Sequence, residues 1–101
     1  MKIPSKVNIL GRNIKVVRQT SVEIQKEMGF KADGYLDWDK KTIFICKDLT
    51  PYEALITFYH ETSHVAHYVV GLNQVLAPEM QEIISEVTAN LIYDLTKGKK
   101  Q

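Results

Sequence analysis

From Pro51 to Val70 the chain holds no helix breaker after the proline itself, and both ends of the stretch are chemically marked. Thr50-Pro51-Tyr52-Glu53 pairs a capping-box threonine with a glutamate three residues on, and sets proline in the first turn, where its missing N–H is not needed. Gly71 is suited to a C-terminal cap. A fold that accepts this stretch must be organised around one long helix. On a 3.6-residue wheel Leu55, Tyr59, Thr62, Ala66 and Val69 form an apolar stripe, widened by Phe58 and Val65. His60, His64 and His67 fall on the opposite side with Glu53, on a face that also carries Ile56. Core histidines would lie within the apolar stripe, and these do not.

The segments around the helix have different periods. Val7 to Ile9 and Ile14 to Val17 are β-prone runs flanking the turn Leu10-Gly11-Arg12-Asn13. Ser21 to Met28, closed by Gly29, reads as a short helix or a loop with one helical turn. Gly34 to Trp38 and Thr42 to Cys46 flank the polar turn Asp39-Lys40-Lys41 and form the clearer hairpin. After a linker from Leu72 to Ala77, Pro78 opens a second helix with Glu79 and Glu82 near its N-terminus. Met80, Ile83, Ile84, Val87, Leu91 and Leu95 give it an apolar stripe expected to pack on the first helix and the sheet, and Gly98 ends the pattern. The expected architecture is α+β, a single domain over residues 1–101. It comprises a small, mostly antiparallel sheet of three or four strands, followed by an antiparallel helix pair.

His60-Glu61-Thr62-Ser63-His64 matches H-E-x-x-H. Residues four apart share a helix face one turn along the axis, so both imidazoles can reach one metal ion, with Glu61 beside them to handle a bound water. A catalytic zinc site takes three protein ligands and leaves one position open. The second helix offers Glu82 and Glu86, and either would complete a two-histidine, one-glutamate set for one Zn2+ per chain. Spacing alone does not separate them.

Glu86-Val87-Thr88-Ala89-Asn90 resembles the E-x-x-A-N signature that follows H-E-x-x-H in the ImmA/IrrE-type metallopeptidases, gluzincins of the zincin clan. The resemblance spans roughly residues 30 to 97. It implies a zincin-like fold, with His60, His64 and Glu86 as metal ligands, Glu61 as catalytic base and Asn90 orienting a ligand. The implied activity is hydrolysis of a peptide bond by metal-activated water. The substrate is then a peptide or protein, which can add to the sheet edge supplied by the Gly34 to Cys46 hairpin. The chain departs from the family at Ser63, where glycine is more common, and lacks the family's further helices. It therefore resembles a minimal member, one that could be latent, self-associating or dependent on a regulatory partner. Metzincins do not fit, because His67 and Val70 stand where their glycine and third histidine belong. For His67 three roles are open: an outer hydrogen-bond donor, a donor to the transition state, or an exposed histidine. Tyr68 and Tyr93 are oxyanion donors by chemistry only.

Two other readings stand beside this one. A deformylase-like hydrolase would need Cys46 as its third ligand, but Phe44-Ile45-Cys46-Lys47 does not resemble that family's cysteine motif. A non-catalytic phage or mobile-element regulator could keep the metal site for stability alone. Composition narrows the rest. A net charge of +1 in 101 residues argues against a nucleic-acid binder, and the basic cluster Lys97, Lys99 and Lys100 reads as a solvated tail. One cysteine excludes an internal disulfide. With no signal-peptide pattern at the N-terminus and no membrane-length apolar run, the expected location is cytoplasmic.

Overall fold

A computed structural model describes residues 2–98. The order of elements is β1 (Lys6–Ile9), β2 (Arg12–Gln19), α1 (Ser21–Met28), β3 (Gly34–Asp37), β4 (Thr42–Cys46), α2 (Pro51–Val70) and α3 (Pro78–Gly98), with a 3-10 turn at Leu72–Gln74. The fold is α+β. No helix among the described residues is long and apolar enough to cross a membrane.

The helix ends follow local chemistry. Thr50 Oγ1 accepts from the Glu53 N–H while Glu53 Oε1 accepts from the Thr50 N–H, and Gly71 closes α2 in the left-handed region. The same reciprocal pair, Thr20 with Glu23, starts α1, which makes a helix of the segment that the sequence left between helix and loop. Leu10 and Gly11, both at positive φ, make the tight turn between β1 and β2, two residues shorter than the four the sequence suggests.

The sheet has four strands in the order β1-β2-β4-β3 and is mixed. β1 with β2 and β3 with β4 are antiparallel hairpins, but β2 with β4 is parallel, with Val16 opposite Ile43 and Arg18 opposite Ile45. Hairpin signals describe neighbours in sequence. The central pairing arises because α1 crosses the end of the sheet where β2 finishes, β3 runs back from that end one strand position away, and β4 fills the place between them in the direction of β2. β4 is buried along its whole length, between β2 and β3 in the sheet and beneath α2. Ile14, Ile43 and Ile45 meet Leu55, Phe58 and Val65 in one core.

β3 lies close to α2 at Gly34. A Cβ there would stand 2.5 Å from the Phe44 carbonyl oxygen and 2.8 Å from Thr57 Cγ2. Gly34→Ala is therefore expected to destabilise the fold by about 1–3 kcal/mol, the usual range for an overpacked core site. Urea denaturation checks this, and an unchanged midpoint would mean that β3 yields without strain.

α3 packs on α2, but not through the face expected. Its buried residues are Ser85 and Ala89, with Ile92 partly covered. Small side chains at a four-residue spacing let the two helices approach closely. The stripe of Met80, Ile83, Val87, Leu91 and Leu95 is exposed instead, and only Ile84 of that set is half-buried. Lys97 is exposed in the last turn of α3, and Lys99 and Lys100 lie outside the described residues.

Candidate metal centre

α2 carries His60 and His64 one turn apart on the side covered by α3, so both are half-buried rather than solvated. Opposite them, the first turns of α3 present Glu82. Its Oε2 lies 3.0 Å from His60 Nε2, its Oε1 lies 2.7 Å from His64 Nε2, and the two Nε2 atoms are 3.2 Å apart. The donor atoms of His60, His64 and Glu82 all lie within 4.8 Å of one another, a set able to hold a metal ion. Two imidazole nitrogens and a carboxylate oxygen on a tetrahedral zinc would be separated by roughly 3.4 Å. The observed contacts fall just inside that spacing, and imidazole with carboxylate is a donor set that zinc accepts, so the residues fit such an ion.

Glu86 takes a different place from the one the resemblance implies. Its Oε1 meets His60 Nδ1 at 3.0 Å, on the far side of the ring from the point where the three donors converge. With that N–H donated to Glu86, His60 keeps its Nε2 lone pair for a ligand, and a carboxylate in this position fixes ring orientation and raises basicity. The difference from expectation has a simple cause. Glu82 and Glu86 are one turn apart on the same face, and the offset of α3 along α2 puts Glu82 at the level of both Nε2 atoms. Asn90 lies one turn further on and donates from Nδ2 to the Glu86 backbone carbonyl at 2.8 Å, not to a ligand side chain.

Glu61 is 8% exposed and lines the same cleft. Burial raises its pKa from 4.5 to about 7, with the Glu82 charge adding to the rise and His60 opposing it. Burial also lowers the pKa of His64, with His60 adding and Glu82 opposing, which favours the neutral imidazole a metal requires.

The Glu61 shift has a stability consequence in the metal-free chain. Between pH 4.5 and 7 the unfolded chain ionises Glu61 while the folded chain keeps it protonated, so the folded state binds more protons and loses stability as pH rises. A shift of this size corresponds to about 3 kcal/mol. His64 and His67, whose pKa values are lowered, act with the opposite sign over neighbouring pH, so the measurement is a difference. Relative to Glu61→Gln in the presence of chelator, the wild type should lose about 3 kcal/mol from pH 4.5 to pH 7 by denaturant unfolding. Parallel curves would place Glu61 in contact with water.

His67 is not the exposed histidine that the sequence allowed. It is 5% exposed, it meets the His64 ring edge-on at 5.8 Å, and its Nδ1 has no hydrogen-bond partner among the described residues, like Ser85 Oγ. Burial lowers its pKa, with His60 adding to the effect. The tyrosines also separate. Tyr68 lines the cleft, its ring stacked on Trp38 at 4.9 Å, whereas Tyr93 packs edge-on against Tyr52 at 4.8 Å and does not line it. Cys46 is buried in β4, with Sγ 3.9 Å from Asp48 Oδ2, and is not part of the cleft wall.

The cleft encloses about 800 Å³. His60, Glu61, His64 and Glu82 lie along one side, and Gly34, Tyr35 and Leu36 of β3 border it. β3 is an outer strand, with no strand partner on its far side among the described residues. The sequence had suggested this hairpin as a sheet edge, but not that Gly34 holds it against α2. A scan against family models finds no match to the chain, and searches of curated proteins and of solved structures return none either.

Proposed function

We propose that this chain is a zinc-dependent peptidase of zincin-like architecture, with His60, His64 and Glu82 holding the ion and Glu61 as general base. The observation that carries this reading is the convergence of three donors beside a buried glutamate, in a cleft bordered by an open strand edge. Structural zinc sites are usually closed by four protein ligands, while three ligands facing an open cleft are the catalytic arrangement. Zinc bound there would polarise the scissile carbonyl and bring the acidity of water towards neutral.

The chain's own residues supply the remaining functions. Glu61, with a pKa of about 7, is poised to accept a proton from the attacking water and return it to the leaving amine. The C–N bond breaks, the water oxygen ends on the acyl carbon, and the proton ends on the new amine. Glu86 holds the His60 ring through Nδ1. Main-chain groups on the free side of β3 offer an extended peptide the hydrogen bonds of an added strand, which makes a peptide the substrate class that fits. Tyr68 is the phenol on the cleft wall and the candidate oxyanion donor. Cys46 lies away from these donors, which weighs against a deformylase-like ligand set.

The test is cleavage of a library of unstructured peptides by the zinc-loaded chain. Activity should disappear with a zinc chelator and return when zinc is restored. A chain that binds one zinc and cleaves nothing would be a metal-binding regulatory protein rather than a hydrolase. A chain that binds none would be neither.

A further inference from the structure

Five large apolar side chains on α3, Met80, Ile83, Val87, Leu91 and Leu95, are between 48% and 63% exposed. They form one stripe on the side of α3 away from Ser85 and Ala89, the residues that meet α2. Together they present on the order of 500 Å², the size of the largest apolar patch usual on a monomer. Two such faces amount to about 1,000 Å², the lower bound for a specific interface.

The order of residues indicates what covers the stripe. It reads nearly alike in both directions about Val87, with Ile83 and Leu91 four residues to either side, Met80 seven before and Leu95 eight after. A patch with this symmetry is complementary to itself across a two-fold axis. Antiparallel pairing about Val87 sets Ile83 against Leu91 of the partner subunit and Met80 against Leu95 of the partner subunit.

Charge selects the same direction. Glu79 and Lys97 stand in the first and last turns of α3, eighteen residues and so about five turns apart, which puts them on one flank of the stripe. In an antiparallel pair like flanks face each other, so Glu79 meets Lys97 of the partner subunit, and the contact occurs twice. Parallel pairing would instead set Asp94, exposed and seven residues after Val87 and so on the stripe itself, against Asp94 of the partner subunit. Glu79 beside the stripe and Asp94 on it would also be repelled by an anionic lipid surface. We propose that two copies of this chain associate through α3, antiparallel, on a two-fold axis at Val87.

The inference does not depend on the metal site, and sedimentation equilibrium of the full chain tests it. Across the micromolar to hundred-micromolar range the wild type should approach twice its 11.6 kDa mass. Val87→Glu sets two carboxylates together on the axis and should weaken association at least about a hundredfold. Because Val87 is exposed in the single chain, the far-UV circular dichroism of this variant should be unchanged. Glu79→Lys and Lys97→Glu should each weaken association about tenfold, and the double variant should recover it. A chain that stays monomeric throughout, a dimer indifferent to Val87→Glu, or a double variant without recovery would each overturn the proposal. So would a monomer whose stripe binds phosphatidylglycerol vesicles.

Discussion

Glu61→Gln should retain zinc and lose about 10²–10⁴-fold in kcat, the range associated with a general base. The substitution keeps the shape of the side chain and removes its ability to take a proton. Loss of fold would not explain the result. Glu61 is buried with its pKa raised to about 7, so at and above that pH a neutral amide is easier to accommodate than the carboxylate, and the metal-free variant should be at least as stable as the wild type. The measurement is kcat and KM on any peptide that the wild type cleaves, with zinc quantified by mass spectrometry on the same samples. Because the carboxylate acts on a proton in flight rather than on bound substrate, KM should change little. A zinc-loaded Glu61→Gln variant within about tenfold of wild-type kcat would remove Glu61 from the mechanism.

The second large effect separates the two glutamates of α3. Glu82→Ala removes the only carboxylate that faces both Nε2 atoms among the described residues, and the remaining pair of histidines should not retain zinc through dialysis. Glu86→Ala leaves the three converging donors in place and removes the acceptor from His60 Nδ1. Loss of such an outer partner lowers metal affinity by about 10–100-fold, so zinc should still be bound at micromolar protein. Zinc per chain after dialysis, followed by competition against a chromogenic chelator, ranks the two variants. The reverse order would make Glu86 the ligand and require α3 to shift by one turn when the metal binds.

How much of this could be read from the residues varied with the range of the interactions. The extent of α2 was legible, because Thr50, Glu53 and Gly71 act within one turn of its ends, and the H-E-x-x-H spacing is a property of a single helix. The two hairpins were legible for the same reason. The parallel pairing of β2 with β4 was not, since it depends on how far α1 carries the chain across the end of the sheet before β3 turns back. The face of α3 was misread because apolar periodicity assumes that large side chains go inside, whereas here Ser85 and Ala89 do so. For His67 three roles stayed open, because a polar residue on a polar face gives no sign of whether the fold covers it. The choice between Glu82 and Glu86 lies in the offset of one helix along another, which neither motif encodes.

That offset has a further meaning. Two features of α3 repeat at the same interval: glutamate at 82 and 86, and a small buried residue at 85 and 89. Sliding α3 by one turn along α2 would bring Glu86 to the level of Glu82 and Ala89 to that of Ser85, but it would also drive Tyr93 into the fully buried place of Ala89, so the packing admits one register. The two helices behave as a lock with one setting, and the small residue at 89 is its ward. Which glutamate faces the two imidazoles is therefore decided by a residue that contributes no atom to the cluster.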